Sequence, residues 1–185
     1  SSSLFSEQTG VGIDNITGGS GAWGDYDNDG FLDFAFNGTN NLYERVSKIY
    51  HNNGNGTFKE QTDILLAGSF TNCLAWCDLD KDCDLDFSIT DGGIFSKIYR
   101  NNNDNSFTDI AGVTLPGVVQ SNLAWGDYDN DGDSDILISG KSTSTNIPVT
   151  FLYLNTGDNF ILQSTIDLQG VIGGSLAWGD YDNDC

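Results

Sequence analysis

The sequence predicts an all-β fold, a β-propeller of four-stranded antiparallel blades, with about three complete blades and a partial blade at each end. Three observations predict it. The stretch WGDYDNDGFLD at 23–33 returns as WCDLDKDCDLD at 76–86, as WGDYDNDGDSD at 125–135 and as WGDYDNDC at 178–185. Trp23, Trp76, Trp125 and Trp178 stand 53, 49 and 53 residues apart, and Phe5, Phe58, Phe107 and Phe160 repeat the same intervals. Each complete acidic stretch runs into a short, alternating segment of β-branched or aromatic residues: LDFAF, LDFSI and SDILIS.

A period of about fifty residues is the size of one propeller blade. Each unit reads as a strand ending at the tryptophan, a strand after the acidic loop, a strand around IYHNN, IYRNN or LYLNT, and a strand opening at the phenylalanine. Residues 1–19 are expected to form the outer strand of a preceding blade and a linker, because LFSEQTG matches GTFKEQT at 56–62. Residues 20–62, 72–111 and 121–164 make blades 1 to 3, and residues 175–185 an inner strand and a truncated loop of blade 4, all in one partial propeller domain. Closed propellers have four to eight blades. The remaining blades are therefore expected from a longer chain or from neighbouring subunits.

The acidic loops carry the chemistry. In the first, Asp25, Asp27, Asp29 and Asp33 occupy positions 1, 3, 5 and 9, with Gly30 at position 6. Four carboxylates in nine residues repel one another unless a cation sits among them, and calcium takes six to eight oxygens. Glycine at position 6 permits a sharp reversal, and the Phe31 carbonyl at position 7 offers another oxygen. Solvated acidic turns without metal are the plain alternative, made less economical by repetition. An EF-hand needs glutamate at position 12, where Phe36, Ile89 and Ile138 stand, and a helix on each side.

Composition narrows the partners. The chain has 185 residues and a formal net charge of −20, and the four stretches hold four, five, five and three of its 27 acidic residues. With only seven Lys and Arg, no nucleic acid or anionic membrane surface is expected as partner. No apolar run is long enough to span a bilayer, and the first residues do not read as a signal peptide, so a mature or excised segment and no membrane insertion are expected. Sequons at Asn15, Asn37 and Asn55 suggest a glycoprotein outside the cell or on its surface. Cys77 and Cys83, at positions 0 and 6 of the second loop, are candidates for a disulfide across its neck, with two free thiols as the alternative; Cys73 and Cys185 have no readable partner.

The AWGDYDNDG loop, the apolar strand after it and the turn seen as IYHNNGNGTF resemble the FG-GAP repeats of calcium-binding propellers, including VCBS-type repeats and the propeller of integrin α subunits. The resemblance covers nearly the whole chain. It implies a propeller, usually seven-bladed, with Ca2+ between the first two strands of a blade and ligands on the opposite face. It also implies side-chain ligands at Asp78, Asp80, Asp82 and Asp86 in the second loop, and at Asp127, Asp129, Asp131 and Asp135 in the third. Asp84 and Asp133, at position 7, are counted among the metal-site residues of those loops. Asp180, Asp182 and Asp184 begin a fourth, partial site. Cys83 replaces the position 6 glycine of the second loop, which puts that site's geometry in question.

No catalytic site is expected. His51 is the one histidine and reads as a surface residue near a turn, no G-x-S-x-G elbow occurs, and the paired carboxylates are absorbed by metal coordination. The tryptophans are expected to pack between blades rather than stack on sugars, and Tyr26, Tyr128 and Tyr181 to shield the ions. The acidic loops should share a rim with the Asn/Gly turns. The other rim, with Tyr43, Phe95 and the 141–146 segment, is left for a protein or glycan ligand. An adhesion module recognising a protein comes first, with a carbohydrate-binding lectin and a structural component of a large assembly as alternatives.

Overall fold

The computed structural model describes residues 12–66, 73–90, 95–110, 113, 115–157 and 159–179. Residues 1–11, including Phe5, and Asp180, Tyr181, Asp182, Asp184 and Cys185 lie outside the described residues. Thirteen strands and no helix occur among those described.

Three antiparallel sheets succeed one another along the chain. The first is β1 (Ile16–Gly24), β2 (Asp33–Asn40), β3 (Arg45–Asn52) and β4 (Phe58–Glu60), in that order. The second is β5 (Leu74–Cys77), β6 (Asp86–Ile89), β7 (Phe95–Asn101) and β8 (Phe107–Asp109), with β9 (Leu115–Pro116) pairing to β7 beyond the end of β6. The third is β10 (Val118–Gly126), β11 (Asp135–Ser142), β12 (Pro148–Asn155) and β13 (Phe160–Leu162). Strict neighbour order is the product of short turns between alternating strands. β1 and β10 each shift register at the same place in the unit, between Thr17 and Ser20 and between Val119 and Asn122. Ser20 N–H donates to Asn37 Oδ1 at 3.0 Å at the first of these bulges.

The core lies between sheets rather than within one. Tyr26, Ala35 and Ile49 of the first unit close on Leu74, Phe87, Ile89 and Tyr99 of the second. Ile98 of the second sheet closes on Leu115, Val118, Leu123, Ile136 and Ile138. Each sheet thus buries its apolar face against the next in sequence, the arrangement of a repeat array.

Trp76, Trp125 and Trp178 mark these junctions, as their place in the repeat predicts, whereas Trp23 departs from that expectation, 62% exposed and packed on Phe34 and Phe58 of its own sheet. Trp76 Nε1 donates to the Ala22 carbonyl at 3.3 Å, Trp125 Nε1 to Ser88 Oγ at 2.9 Å and Trp178 Nε1 to the Ala124 carbonyl at 3.2 Å. Trp178 belongs to no strand, yet its segment docks on β10 as β5 docks on β1, with Leu176 N–H donating to Asn122 Oδ1. The incoming ring explains a glycine: a Cβ on Gly126 would lie 2.5 Å from the Trp178 ring, and one on Gly24 2.8 Å from Trp76.

Two expectations are corrected here. Asn37 is fully buried in β2 against Ser20, so the folded chain presents only Asn15 and Asn55, both exposed, as sequon asparagines. Cys73, Cys77 and Cys83 are free thiols and no Cys77–Cys83 bond forms. Position 0 faces the following sheet, as Gly24 and Gly126 show, and the Cys77 thiol meets Ser134 there instead of reaching across its own loop to the exposed Cys83. Burial pushes the Cys77 thiol up to about 11.

Candidate metal centre

The three loops repeat one hydrogen-bond scheme. The position 9 aspartates, Asp33, Asp86 and Asp135, are 0%, 2% and 0% exposed. One oxygen of each accepts the backbone N–H of position 2, from Tyr26 at 3.3 Å, Leu79 at 2.8 Å and Tyr128 at 2.7 Å. The other accepts the N–H of the asparagine ending the third strand, Asn52 at 2.7 Å, Asn101 at 2.8 Å and Asn155 at 2.8 Å. This residue clamps the loop's entry to the neighbouring turn, and so puts acidic loops and Asn/Gly turns on one rim.

Positions 1 and 5 wind the loop. Asp25 accepts from the N–H groups of Asp29 and Gly30, Asp78 from Cys83 and Asp127 from Gly132. Asp29, Asp82 and Asp131 each accept from the N–H two residues on, at Phe31, Asp84 and Asp133. The winding needs left-handed backbone at positions 4 and 6: Asn28, Lys81 and Asn130 have φ of 57°, 63° and 59°, and Gly30, Cys83 and Gly132 have 89°, 72° and 88°. Cys83 adopts the glycine conformation, so the second loop keeps the shape of the others at the cost of a strained non-glycine residue.

The carboxylates converge. Ligand atoms within 4.8 Å of one another come from Asp25, Asp27 and Asp29, from Asp27, Asp33 and His51, from Asp78, Asp80 and Asp86, and from Asp127, Asp129 and Asp135. Burial, the largest cause, pushes Asp33 and Asp86 up to about 6 and raises Asp135, with nearby carboxylates adding to the shift and the two backbone N–H groups opposing it. Asp27 Oδ1 and Asp78 Oδ1 are buried without a hydrogen-bond partner. An oxygen-rich set with orphaned, converging lone pairs fits a hard divalent cation.

Asp84 and Asp133 point elsewhere. Asp84 accepts from Asn28 Nδ2 at 2.7 Å, and Asp133 meets Lys81 Nζ at 2.7 Å, so position 7 of each loop is held by position 4 of the loop before. Tyr26 is likewise no shield over its own loop. It is 2% exposed, stacked on Trp76 with ring planes 9° apart, and part of the core between the first two sheets. Tyr128 remains 49% exposed.

Sequence reasoning missed three things at the site. His51 is drawn into the first loop, its Nδ1 3.0 Å from Asp27 Oδ2 and 3.4 Å from Asp33 Oδ1. Arg100, its register equivalent, places Nε 3.0 Å from Asp80 Oδ2. The asparagines Asn52, Asn101 and Asn155 were visible as a repeated NN or NT after the third strand, but only pairing shows that their N–H groups reach position 9.

Comparison with known proteins agrees with this repeated loop-and-sheet unit. The FG-GAP-like repeat matches twice, over residues 25–89 and 78–138. A solved structure described as the structural basis of specific recognition of non-reducing terminal N-acetylglucosamine by an Agrocybe aegerita lectin aligns with a TM-score of 0.50 and 20% identity, over 77% of this chain and 37% of that one. The chain thus spans little more than a third of that lectin's length, and at this identity the likeness is one of fold. No curated protein sequence matches the chain. With two overlapping matches running from the first acidic loop to the strand after the third, the chain belongs to the FG-GAP-like repeat family.

Proposed function

We propose that the chain is part of an extracellular β-propeller, stabilised by calcium in its acidic loops, that binds a protein partner and performs no catalysis itself. The observation that carries the reading is the thrice-repeated cluster of carboxylates, with the position 9 aspartate buried and oxygens of Asp27 and Asp78 left unpartnered. A bound ion would supply the positive charge that offsets repulsion among these groups. The chain's own residues do the rest: positions 1 and 3 bring oxygens together in all three loops, joined by position 5 in the first, and position 9 ties the loop to the third strand. Binding to the folded state alone adds about 2.7 kcal/mol per site at a hundredfold excess over Kd. Melting in millimolar calcium should lie well above melting in chelator; coincident curves would remove the reading.

The partner is placed on the opposite rim. There Tyr43 is 90% and Leu42 74% exposed at the turn between β2 and β3, an apolar pair that a solvated loop does not require. A glycan is the second reading. It is favoured by a cleft of about 240 Å³ between the second and third units, where Phe160 faces Asp80, Arg100, Asp133 and Asn159, and by the likeness to a lectin. A glycan array with calcium and with chelator separates the two. Saccharide binding lost in Phe160→Ala promotes the cleft, whereas silence from a folded chain leaves the protein partner.

A further inference from the structure

The three loops share one backbone scheme but not one electrostatic environment. The difference comes from a single strand position. His51, Arg100 and Leu154 each stand one residue before the clamp asparagine, facing Lys59, Thr108 and Ile161 across their ladders. Arg100 brings its guanidinium to 3.0 Å from the position 3 carboxylate of the second loop. Leu154 brings no charge to the third loop. Lys81 does approach that loop and its charge reaches Asp131 and Asp127, but its direct partner is Asp133 at position 7, which lies outside the converging set.

We propose that the second loop carries its own cation in Arg100, seated directly on a ligand carboxylate, and that it therefore takes a divalent ion more weakly than the third loop, whose nearby Lys81 pairs with Asp133 rather than with a ligand carboxylate. The inference rests on the calcium reading above. The Arg100–Asp80 pair is half open to water, with side chains 48% and 28% exposed, so it adds little to folding. Its effect falls on the ion instead. Asp80 must exchange one cation for another, and a guanidinium about 5 Å from a divalent ion repels it enough, even in water with physiological salt, to weaken binding roughly five- to tenfold. The loop remains able to bind, because Asp78, Asp82 and Asp86 keep the geometry of their counterparts. The rim then fills in order as calcium rises, rather than all at once.

Calorimetric titration of the whole chain with calcium alone tests this. The wild type should show a weak class that Asp78→Asn abolishes, and Arg100→Leu should tighten that class about five- to tenfold. The reciprocal Leu154→Arg should move a tight site into the weak class. Calcium uptake with affinities unchanged by Arg100→Leu and by Leu154→Arg would overturn the inference and leave the calcium reading standing. No uptake by chains that circular dichroism shows to be folded would overturn both.

Discussion

Replacing Tyr26 separates two roles that a tyrosine in an acidic loop can have. Its ring is 2% exposed, stacks on Trp76 at 6.2 Å between centroids and meets Phe107 at 6.1 Å. Burying an aromatic of this size removes roughly 150–250 Å² from water, and truncating such a side chain in a packed core costs about 3–5 kcal/mol. Tyr26→Ala should therefore destabilise by that amount. Tyr26→Phe removes only a long hydroxyl bond to Asn105 Oδ1, 3.4 Å, and should cost about 0.5 kcal/mol or less. The Tyr26 carbonyl still accepts from Asn101 Nδ2 at 2.8 Å in either variant. Tyr128→Ala, at a side chain 49% exposed, should cost about 1–2 kcal/mol. Urea unfolding followed by far-ultraviolet circular dichroism, in calcium and in chelator, reads these differences. Packing between sheets predicts the Tyr26→Ala loss in both solutions. A loss seen only with calcium, or one no larger than that of Tyr128→Ala, would refute the packing argument.

Three further outcomes are expected. In chelator, stability should fall as pH rises from about 4 to about 6. Asp33 and Asp86 bind protons up to about 6 in the folded chain, so their contribution is complete below the ordinary carboxylate value and gone above the raised one; urea midpoints that rise across this window would contradict it. Asn28→Ala strips a 2.7 Å bond from the buried Asp84 and should cost about 1–3 kcal/mol, read by the same unfolding assay. Produced through a eukaryotic secretory pathway, the folded protein should carry glycans at Asn15 and Asn55 alone, and mass spectrometry finding one on Asn37 would refute its buried place.

The repeat was legible because its signals are local. Tryptophan and phenylalanine intervals gave the unit, and the alternating strands after each loop gave the sheets. Carboxylates at positions 1, 3 and 9 supply the clusters of the second and third loops, where Asp82 and Asp131 at position 5 stay outside; only in the first loop does position 5, Asp29, join in. The illegible part depends on the neighbour. Tyr26 sits in a loop by sequence but in the core by packing, because the second sheet closes over it. Asp84 and Asp133 read as extra loop acid, yet their partners lie in the preceding unit. Asn37 looks like an ordinary sequon on a strand; only the bulge at Ser20 buries it. The shared register of His51, Arg100 and Leu154 was readable from the repeat, but not that the first two turn onto the carboxylates of the acidic loops. The candidate disulfide failed for the same reason: Cys77 and Cys83 are close in sequence, and the following sheet turns them apart.

The link from position 4 of one loop to position 7 of the next has a consequence for how such a chain can evolve. Asn28 is matched to Asp84, and Lys81 to Asp133. Each unit therefore carries half of a pairing code whose other half is written about fifty residues downstream. Unit 1 offers Phe31 at position 7, which can accept from neither Asn nor Lys through its side chain. Moving unit 1 behind another unit would leave a position 4 donor without an acceptor, whereas units 2 and 3, both with Asp at position 7, can each follow either donor; the order of these repeats is therefore constrained at unit 1.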